Sequence, residues 1–344
     1  MYQRGENQQL TASEYYNRNL IEPDSNYKHD KVHYYRSGWL SWGHAADFAL
    51  DIKTADQQIV LASYDKTHIP AKLVAKAKAA GAEIIDLTYD DIDAMVAVFK
   101  GADVVSFVST WLIGERRRRQ HKNVVDACVK AGVTRVCYTS FVGADLDKDI
   151  PVLPQDHHYT EQVIFKSGLQ YSIQRDCLYL DNTINFFAPS WNYCGAKWLD
   201  NSDGVPGAFV SREDCGRTFG ALIMGRGKPN TVYTLTGPEA LTNKQVFDKI
   251  CAASGYKGEY VPVSDEELRK YWTAQGVPKD VEGDKSKNKS PMPLIMDDLE
   301  SCGIVVKRGL MRNVTNDIEK LTGRKPLTAE QTIQSLKDNW PKNE

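Results

Sequence analysis

Short apolar runs alternate with longer segments of helical spacing over the first half of the chain. Residues 59–62 and 102–108 are apolar runs that predict buried strands. Residues 70–80 predict a helix, because Pro70 stands at its start and Gly81 lies just past its end. Strands separated by helices of about ten residues are typical of βαβ units in a parallel sheet. We therefore predict an α/β fold with a Rossmann-type, doubly wound parallel sheet.

This alternation loosens after residue 185, which indicates two parts of different character. We predict an N-terminal extension over 1–28, a Rossmann-type nucleotide-binding core over 29–185 and a smaller C-terminal α/β substrate lobe with helices over 186–344. The lobe is expected to cover the carboxyl edge of the sheet, where ligands of such folds bind. The further predicted strands are 32–35, 84–85, 133–139, 171–173 and 231–235, and the further predicted helices are 45–50, 90–100, 115–131, 157–167, 212–225, 240–254 and 264–275.

Composition and charge exclude some classes of function without selecting one. The 344 residues are 42% hydrophobic and 26% charged, which is ordinary for a globular protein with a large core. The formal net charge of −2 gives no electrostatic reason to expect a nucleic acid or a membrane as partner. No apolar run approaches the roughly 20 residues that span a bilayer, and from the polar N-terminus we expect no secretory signal. Seven scattered cysteines favour reduced thiols, so we expect a cytoplasmic protein without a metal site.

Three stretches together carry a family resemblance. Residues 101–145 contain a strand that ends in T-S, residues 157–182 contain H-x-x-x-E and a Ser-Gly-Leu turn, and residues 209–272 contain the T-G-P-E-A run. In this combination the chain resembles the NmrA-like family of atypical short-chain dehydrogenases, over roughly residues 30–340. That family includes quinone reductases, triphenylmethane reductase and redox-sensing regulators without enzymatic activity. The resemblance implies a Rossmann fold with NADP or NAD as cofactor.

The turn after the first strand departs from the family's T-G-A-T-G-x-x-G pattern. In the best register Ser37, Leu40 and Gly43 occupy the three glycine positions, and Gly38 falls one position off. Glycines there allow a tight turn and close approach of backbone N–H groups to a pyrophosphate, whereas Leu40 and the nearby tryptophans add bulk. Three interpretations stay open: a reshaped loop that still holds a nucleotide, a site filled by the tryptophans, or a different register. For the tryptophans, ordinary core packing is the further possibility.

Other positions of the family's cofactor site carry suitable side chains. Asp65 could accept from a ribose 2′-hydroxyl, which favours NAD, and Lys66 could pair with a 2′-phosphate, which favours NADP. Strand-end turns and caps are the alternative explanation for such residues. The cofactor contacts implied by the resemblance are Ser37, Gly38, Gly43, Tyr64, Asp65, Lys66, Ser109, Thr110 and Thr139.

The chain lacks the Y-x-x-x-K motif of classical short-chain dehydrogenases. The resemblance places His157 where the lysine would be and implies hydride transfer with little acid help from the protein. Imidazole titrates near neutral pH, so His157 could act as acid or base, and capping of its helix is the alternative. Tyr159 and Ser140 are further catalytic candidates. Glu161 is expected to bond locally on its own helix.

Aromatic residues dominate the candidate substrate positions, which suits a flat, apolar or aromatic ligand as well as an ordinary core. Four basic residues at 116–119 open a predicted helix and indicate a solvated face or a site for a phosphate or an acidic partner. The substrate candidates are Phe141, Tyr179, Phe187 and Trp191.

These observations favour an NAD(P)H-dependent reductase of a quinone-like, enone or aromatic small molecule. Two alternatives stay open. One is a cofactor-independent isomerase or lyase that uses a vacated Rossmann cleft, and the other is a non-enzymatic, nucleotide-sensing regulator. The expected partner is a small aromatic substrate, and neither a nucleic acid nor a membrane is expected. The oligomeric state stays open, with a homodimer as one alternative.

Overall fold

A parallel sheet forms the centre of the molecule in the computed structural model, which describes residues 31–35, 39–110, 113–291 and 295–343. The strands are β1 (Lys31–Tyr35), β2 (Gln58–Ser63), β3 (Glu83–Asp86), β4 (Val104–Phe107), β5 (Arg135–Phe141), β6 (Gln170–Asp176), β7 (Lys197–Asp200), β8 (Thr231–Leu235) and β9 (Glu259–Pro262). Among these residues the main sheet is seven-stranded, with the order β3-β2-β1-β4-β5-β6-β8. All its neighbouring strands are parallel, and the order runs outward from β1 on both sides. The predicted doubly wound α/β fold is confirmed, with its switch point between β1 and β4.

Helices cover both faces of this sheet and build the remaining lobe. They are α1 (Trp39–Ile52), α2 (Ala71–Ala79), α3 (Ile92–Phe99), α4 (Glu115–Ala131), α5 (Val152–Lys166), α6 (Leu180–Asn182), α7 (Ala188–Tyr193), α8 (Arg212–Ile223), α9 (Asn243–Ser254), α10 (Asp265–Ala274), α11 (Met296–Lys307), α12 (Asp317–Thr322) and α13 (Ala329–Ser335). A π-helix, Thr183–Phe187, joins α6 to α7. No helix in the described ranges is long and apolar enough to cross a bilayer.

Two apolar clusters fill the space between the sheet and its helices. On one face, α1, α2 and α8 bury a cluster that includes Trp42 and Phe219 against β2 and β4. Helix α8 can lie close to α1 because Gly220 has no side chain: a Cβ there would come 2.6 Å from the carbonyl oxygen of Ala45. On the other face, α3, α4 and α5 enclose a second cluster that includes Phe107 and Tyr138. Buried apolar area of this kind is the main stabilising contribution to such a domain.

The second half of the chain contributes to the main sheet as well as to a lobe. Strand β8 pairs with β6, and α8 packs on α1, so residues 212–235 belong to the sheet layers although they lie beyond 185. The lobe has its own two-stranded parallel sheet of β7 and β9. The sequence did not predict these two strands, because Gly and Pro punctuate the region around β7.

Several helix boundaries differ from the prediction at functionally important places. Helix α1 begins at Trp39 and not at 45, so Gly43 is a helical residue. Helix α5 begins at Val152 and not at 157. Pro154 is tolerated there because a first-turn residue makes no intrahelical N–H bond. His157 therefore lies in the second turn of α5 and does not cap it.

Candidate active site

The carboxyl ends of β4 and β5 meet beside α5, next to the switch point of the sheet. The Ser109 backbone N–H donates to Thr139 Oγ1 at 2.9 Å, and the Thr110 N–H donates to His121 Nε2 at 3.2 Å. Thr110 Oγ1 is buried and has no hydrogen-bond partner among the described residues. The structure thus brings together three predicted cofactor residues, Ser109, Thr110 and Thr139, at the edge where such folds bind ligands.

His157 lies buried at the same edge, with only 5% of its surface exposed. Its Nδ1 is 2.9 Å from the Tyr138 hydroxyl, and its ring lies 5.9 Å from that of Phe141, centroid to centroid. Burial holds the pKa of His157 well below its ordinary value, and the positive charge of Arg117 lowers it further. The imidazole is therefore neutral at physiological pH. His157 therefore neither caps its helix nor lies in solvent.

Ser140 bonds the buried carboxylate of an ion pair between Glu161 and the half-buried Arg175. Its hydroxyl donates to Glu161 Oε1 at 2.5 Å, because a carboxylate can only accept. Glu161 also accepts from Arg175 of β6, and its charge and hydrogen bonds raise the pKa of that guanidinium although burial alone would lower it. The expectation that Glu161 bonds within its own helix is wrong, since its partners come from two strands. The proton of Ser140 is committed to Glu161, which argues against Ser140 as a proton donor to a substrate.

Tyr159 lies on another side of α5 from His157. Two residues correspond to about 200° of rotation around a helix, so the two side chains point in nearly opposite directions. The Tyr159 ring is half-buried and has the guanidinium carbon of Arg118 5.9 Å from its centroid. The structure therefore does not bring Tyr159 together with His157 as a catalytic pair.

The basic run at the start of α4 divides into two pairs with different environments. Arg116 and Arg119 lie on the surface, within 4 Å of Asp90. Arg117 is buried, and Arg118 donates to Asp156 Oδ1 at 2.6 Å. The buried Asp156 carboxylate also accepts a hydrogen bond from the Gly114 N–H at 2.6 Å. Arg117 Nη1 lies 3.7 Å from the same carboxylate.

Asp156 therefore supplies the anion that the N-terminus of α4 attracts. Of the four basic residues, only Arg116 and Arg119 form the predicted solvated face. Sequence reasoning missed Asp156, His121 and Tyr138, which are buried polar residues on otherwise apolar faces.

Part of the predicted dinucleotide site lies outside the described residues, namely Ser37 and Gly38. Gly43 lies within α1 and is half-buried, and a Cβ on it would meet nothing within 4 Å. Trp42 is 0% exposed and belongs to the core cluster between α1, α8 and the sheet. For Trp42 the structure thus shows core packing and not a ring that fills the cleft.

The three residues after β2 lie at the surface. Tyr64 is 77% exposed. Asp65 accepts from the backbone N–H and the hydroxyl of Thr67 at 2.9 and 2.6 Å, and these bonds lower its pKa. Lys66 Nζ lies 3.2 Å from Asp86 Oδ2, and both side chains are about half exposed. The local turn thus occupies Oδ1 of the Asp65 carboxylate, whereas the Lys66 ammonium is accessible.

A small cavity of about 50 Å³ lies in the lobe, just beyond the end of β6. Tyr179 and Phe187 line it, together with Asp200, Trp272 and Val306. The Tyr179 hydroxyl donates to Asp176 Oδ2 at 2.5 Å, and the guanidinium carbon of Arg212 lies 4.5 Å from the centroid of the Tyr179 ring.

The other two predicted substrate residues lie in hydrophobic clusters. Phe141 is in the same cluster as Tyr179 and Val306, next to His157. Trp191 is fully buried and stacks on Trp198 with ring centroids 5.4 Å apart, so the structure places it in the core of the lobe.

Comparison with known proteins agrees with this architecture. A model of the NmrA-like family matches residues 60–285. The chain is 26% identical over 268 residues to quinone oxidoreductase 2 of Escherichia coli, which covers 78% of this chain and 86% of the relative. It is also 26% identical over 247 residues to an NmrA-like family domain-containing oxidoreductase of Aspergillus flavus, which covers 72% and 74%.

Solved structures show the same fold. An NADPH complex of an NADPH-dependent quinone oxidoreductase from Escherichia coli superposes with a TM-score of 0.71 at 24% identity and covers 89% of this chain and 99% of that one. Triphenylmethane reductase of Citrobacter with NADP(H) gives a TM-score of 0.68 at 20% identity, covering 89% and 100%. On the family match over most of its length, together with its sheet order, this chain belongs to the NmrA-like family.

Proposed function

We propose that this protein is a reductase that transfers hydride from NADPH to a quinone-like or other flat aromatic acceptor. The observation that carries the proposal is the buried, neutral His157 at the carboxyl edge of β4 and β5, beside the switch point of a doubly wound sheet. The four proteins compared above are reductases or oxidoreductases by name, so they lend no support to a cofactor-independent isomerase or to a regulator.

The described residues fit a nicotinamide dinucleotide because they leave a buried hydroxyl group for it to bond. The buried hydroxyl of Thr110 lacks a hydrogen-bond partner among them, and a buried polar group of this kind calls for a ligand or water. Thr110, Ser109 and Thr139 would hold the nicotinamide half, and the N-terminus of α1, which has no acidic residue in its first turn, would face the phosphates. When bound, the cofactor supplies the hydride.

We propose NADPH in preference to NADH because of the contacts after β2. A ribose 2′-hydroxyl would have to compete for the Asp65 carboxylate with Thr67, which donates two hydrogen bonds to Oδ1, and with His68, whose Nδ1 lies 3.5 Å from Oδ2. A 2′-phosphate could compete with Asp86 for the exposed Lys66, since a surface ion pair contributes less than about 1 kcal/mol.

The acceptor is proposed to bind between Phe141, Tyr179 and Phe187. The cavity of about 50 Å³ has room for a few water molecules but not for an aromatic ring system, so the lobe must open to admit one. Phe187 ends a π-helix, and π-helical turns occur frequently at functional sites. Movement of the segment 183–187 would enlarge the cavity without disturbing the sheet.

Steady-state kinetics of the purified protein with NADPH and a panel of 1,4-naphthoquinones and triphenylmethane dyes would test the proposal. We expect NADPH-dependent reduction of at least one acceptor, and we expect His157→Ala to lower kcat on the order of 10- to 100-fold. The matched control is His158→Ala, because His158 lies on the same helix and bonds the Ala144 carbonyl oxygen instead. The proposal would be overturned if the protein did not bind NADPH and did not oxidise it with any acceptor.

A further inference from the structure

The proton position on His157 follows from the hydrogen bonds that surround it. A backbone N–H can only donate, so His121 Nε2 accepts from Thr110 at 3.2 Å and carries no proton. His121 is fully buried beside Arg117, and both conditions lower the pKa of its imidazole well below the ordinary value. The neutral ring must therefore carry its proton on Nδ1.

Thr160 is the acceptor for that Nδ1 proton. Its Oγ1 lies 2.8 Å from His121 Nδ1. The hydroxyl proton of Thr160 is used elsewhere, because Oγ1 lies 2.7 Å from the Asp156 carbonyl oxygen, which can only accept. The oxygen of Thr160 is thus free to accept from His121, and the two bonds agree on one proton arrangement.

The Tyr138 hydroxyl lies between His121 and His157 and links their proton positions. Its hydroxyl lies 3.5 Å from His121 Nδ1 and 2.9 Å from His157 Nδ1. His121 Nδ1 already holds a proton and cannot accept. Thr160 also interacts with the Tyr138 hydroxyl, but the 2.9 Å contact makes His157 Nδ1 the acceptor that Tyr138 bonds, so the neutral imidazole of His157 carries its own proton on Nε2.

We infer that Tyr138 and His121 are positioning residues that fix His157 as the Nε2–H tautomer, so that His157 donates a hydrogen bond to the ligand and does not transfer its proton. No described residue bonds Nε2, so its N–H keeps its capacity to donate. The role toward a substrate rests on the proposed function, whereas the tautomer does not.

Charges near His157 support a ring that stays neutral. Arg117 and His121 of α4 face it, Asp156 and Glu161 lie on its own helix, and Tyr138 is on β5. The buried Arg117 disfavours a second positive charge on the imidazole. Asp298 of α11 interacts with Arg117, and burial raises the pKa of Asp298 to about 6 against the effect of that arginine.

This arrangement defines what each partner supplies in the reduction. A nicotinamide held by Ser109, Thr110 and Thr139 would supply a hydride, which is two electrons and one proton, and would be oxidised as the acceptor is reduced. Negative charge then develops on the acceptor oxygen, where the hydrogen bond from His157 Nε2–H stabilises it. The proton that completes the reduction comes from water, because a neutral imidazole does not release its N–H proton near pH 7.

Long-range 1H–15N NMR of the uniformly labelled full chain, without nucleotide, would test the inference. We expect the His157 ring to show a protonated Nε2 and an unprotonated Nδ1, unchanged between about pH 5.5 and 8.5. An imidazolium or an Nδ1–H tautomer in the wild-type protein would overturn the inference. This readout needs no turnover, so it can fail or succeed independently of the reductase proposal.

Tyr138→Phe removes the hydroxyl that donates to Nδ1. We expect the tautomer signals of His157 to become mixed, its titration to move toward neutral pH and kcat to fall about tenfold, a change of about 1.4 kcal/mol. KM for NADPH should change less than twofold. Tyr171→Phe is the matched control, because Tyr171 is a half-exposed residue on the adjacent β6 whose ring packs on Phe165. Unchanged His157 signals in folded Tyr138→Phe would show that Tyr138 does not position the histidine.

Discussion

The Glu161 carboxylate receives the Arg175 guanidinium through two hydrogen bonds, 2.9 Å from Nε to Oε1 and 2.5 Å from Nη2 to Oε2. This planar pair joins α5 to β6, and the same carboxylate accepts the Ser140 hydroxyl of β5. Bidentate geometry is the strongest form of such a pair. It fixes α5, and with it His157, against the end of the sheet.

Loss of the Glu161 charge should destabilise the fold while leaving a nearly isosteric side chain. We expect Glu161→Gln to lower the free energy of unfolding by roughly 2–4 kcal/mol, because the half-buried Arg175 is left with a poorer partner. Urea denaturation at neutral pH measures this. Glu259→Gln, which removes an exposed pair with Lys197, should cost less than about 0.5 kcal/mol. Equal effects of the two substitutions would contradict a special role for Glu161.

Trp42 offers a test of what blocks or permits nucleotide binding. Because its ring is fully buried in the core, Trp42→Ala should lower the free energy of unfolding by about 3–5 kcal/mol and leave the Kd for NADPH of the folded protein unchanged. Denaturation and fluorescence titration below the melting transition measure the two quantities. A markedly tighter NADPH complex in the variant would instead mean that the ring occupies the phosphate cleft.

Lys66 is predicted to select between the two nicotinamide cofactors. Lys66→Ala should raise the Kd for NADPH on the order of tenfold and leave the Kd for NADH within twofold, because only NADPH has the 2′-phosphate. Calorimetric titration with both nucleotides checks this. Lys72→Ala is the control, since Lys72 is an exposed lysine nearby on α2. A parallel loss of both affinities in Lys66→Ala would contradict the assignment.

Asp176 should make stability depend on pH in the acidic range. Burial raises the pKa of its carboxyl from 3.8 to about 7, although hydrogen bonds from Tyr179 and Gln174 oppose the rise. The folded state therefore binds this proton more tightly than the unfolded chain does. The resulting stabilisation is complete below about pH 4 and is lost as the pH rises through about 7.

Asp176→Asn removes this titration and keeps the size of the side chain. Between about pH 4 and 7.5 the free energy of unfolding of the wild type should fall relative to that of the variant, by roughly 1–4 kcal/mol. Urea midpoints across this range measure the difference. Asp248→Asn, at an exposed pair with Lys244, should reproduce the wild-type pH profile. A variant profile parallel to the wild type would rule out Asp176 as the source.

Phe187 and Trp191 should respond differently to the same truncation. Phe187 lines the cavity, so Phe187→Ala is expected to raise KM for the acceptor several-fold with a small loss of stability. Trp191 is core, so Trp191→Ala should cost about 3–5 kcal/mol of stability and leave KM of the folded enzyme nearly unchanged. The converse pattern would place the acceptor in the lobe core.

Most of the fold was predictable because short stretches of the chain show by their apolar runs and helical spacing which segments form strands and helices. The run 102–108 and the helix predicted at 70–80 correspond to β4 and α2. Right-handed crossovers then limited the order of the parallel strands. Strands β7 and β9 escaped prediction because four residues next to Gly and Pro carry too weak a periodicity.

The site was predictable only in its position. The sequence by itself determined that the strand ends near 109 and 139 would meet at one edge, because the carboxyl ends of parallel strands share it, and that the helix carrying His157 would follow there. Tertiary structure decided which groups act there: it placed Tyr138 between two histidines, tied Ser140 to Glu161 and turned Tyr159 away from His157. Hydrogen-bond partners depend on ångström-scale placement of α4 and α5 against β5, and on 100° of rotation per helical residue, which no local pattern encodes.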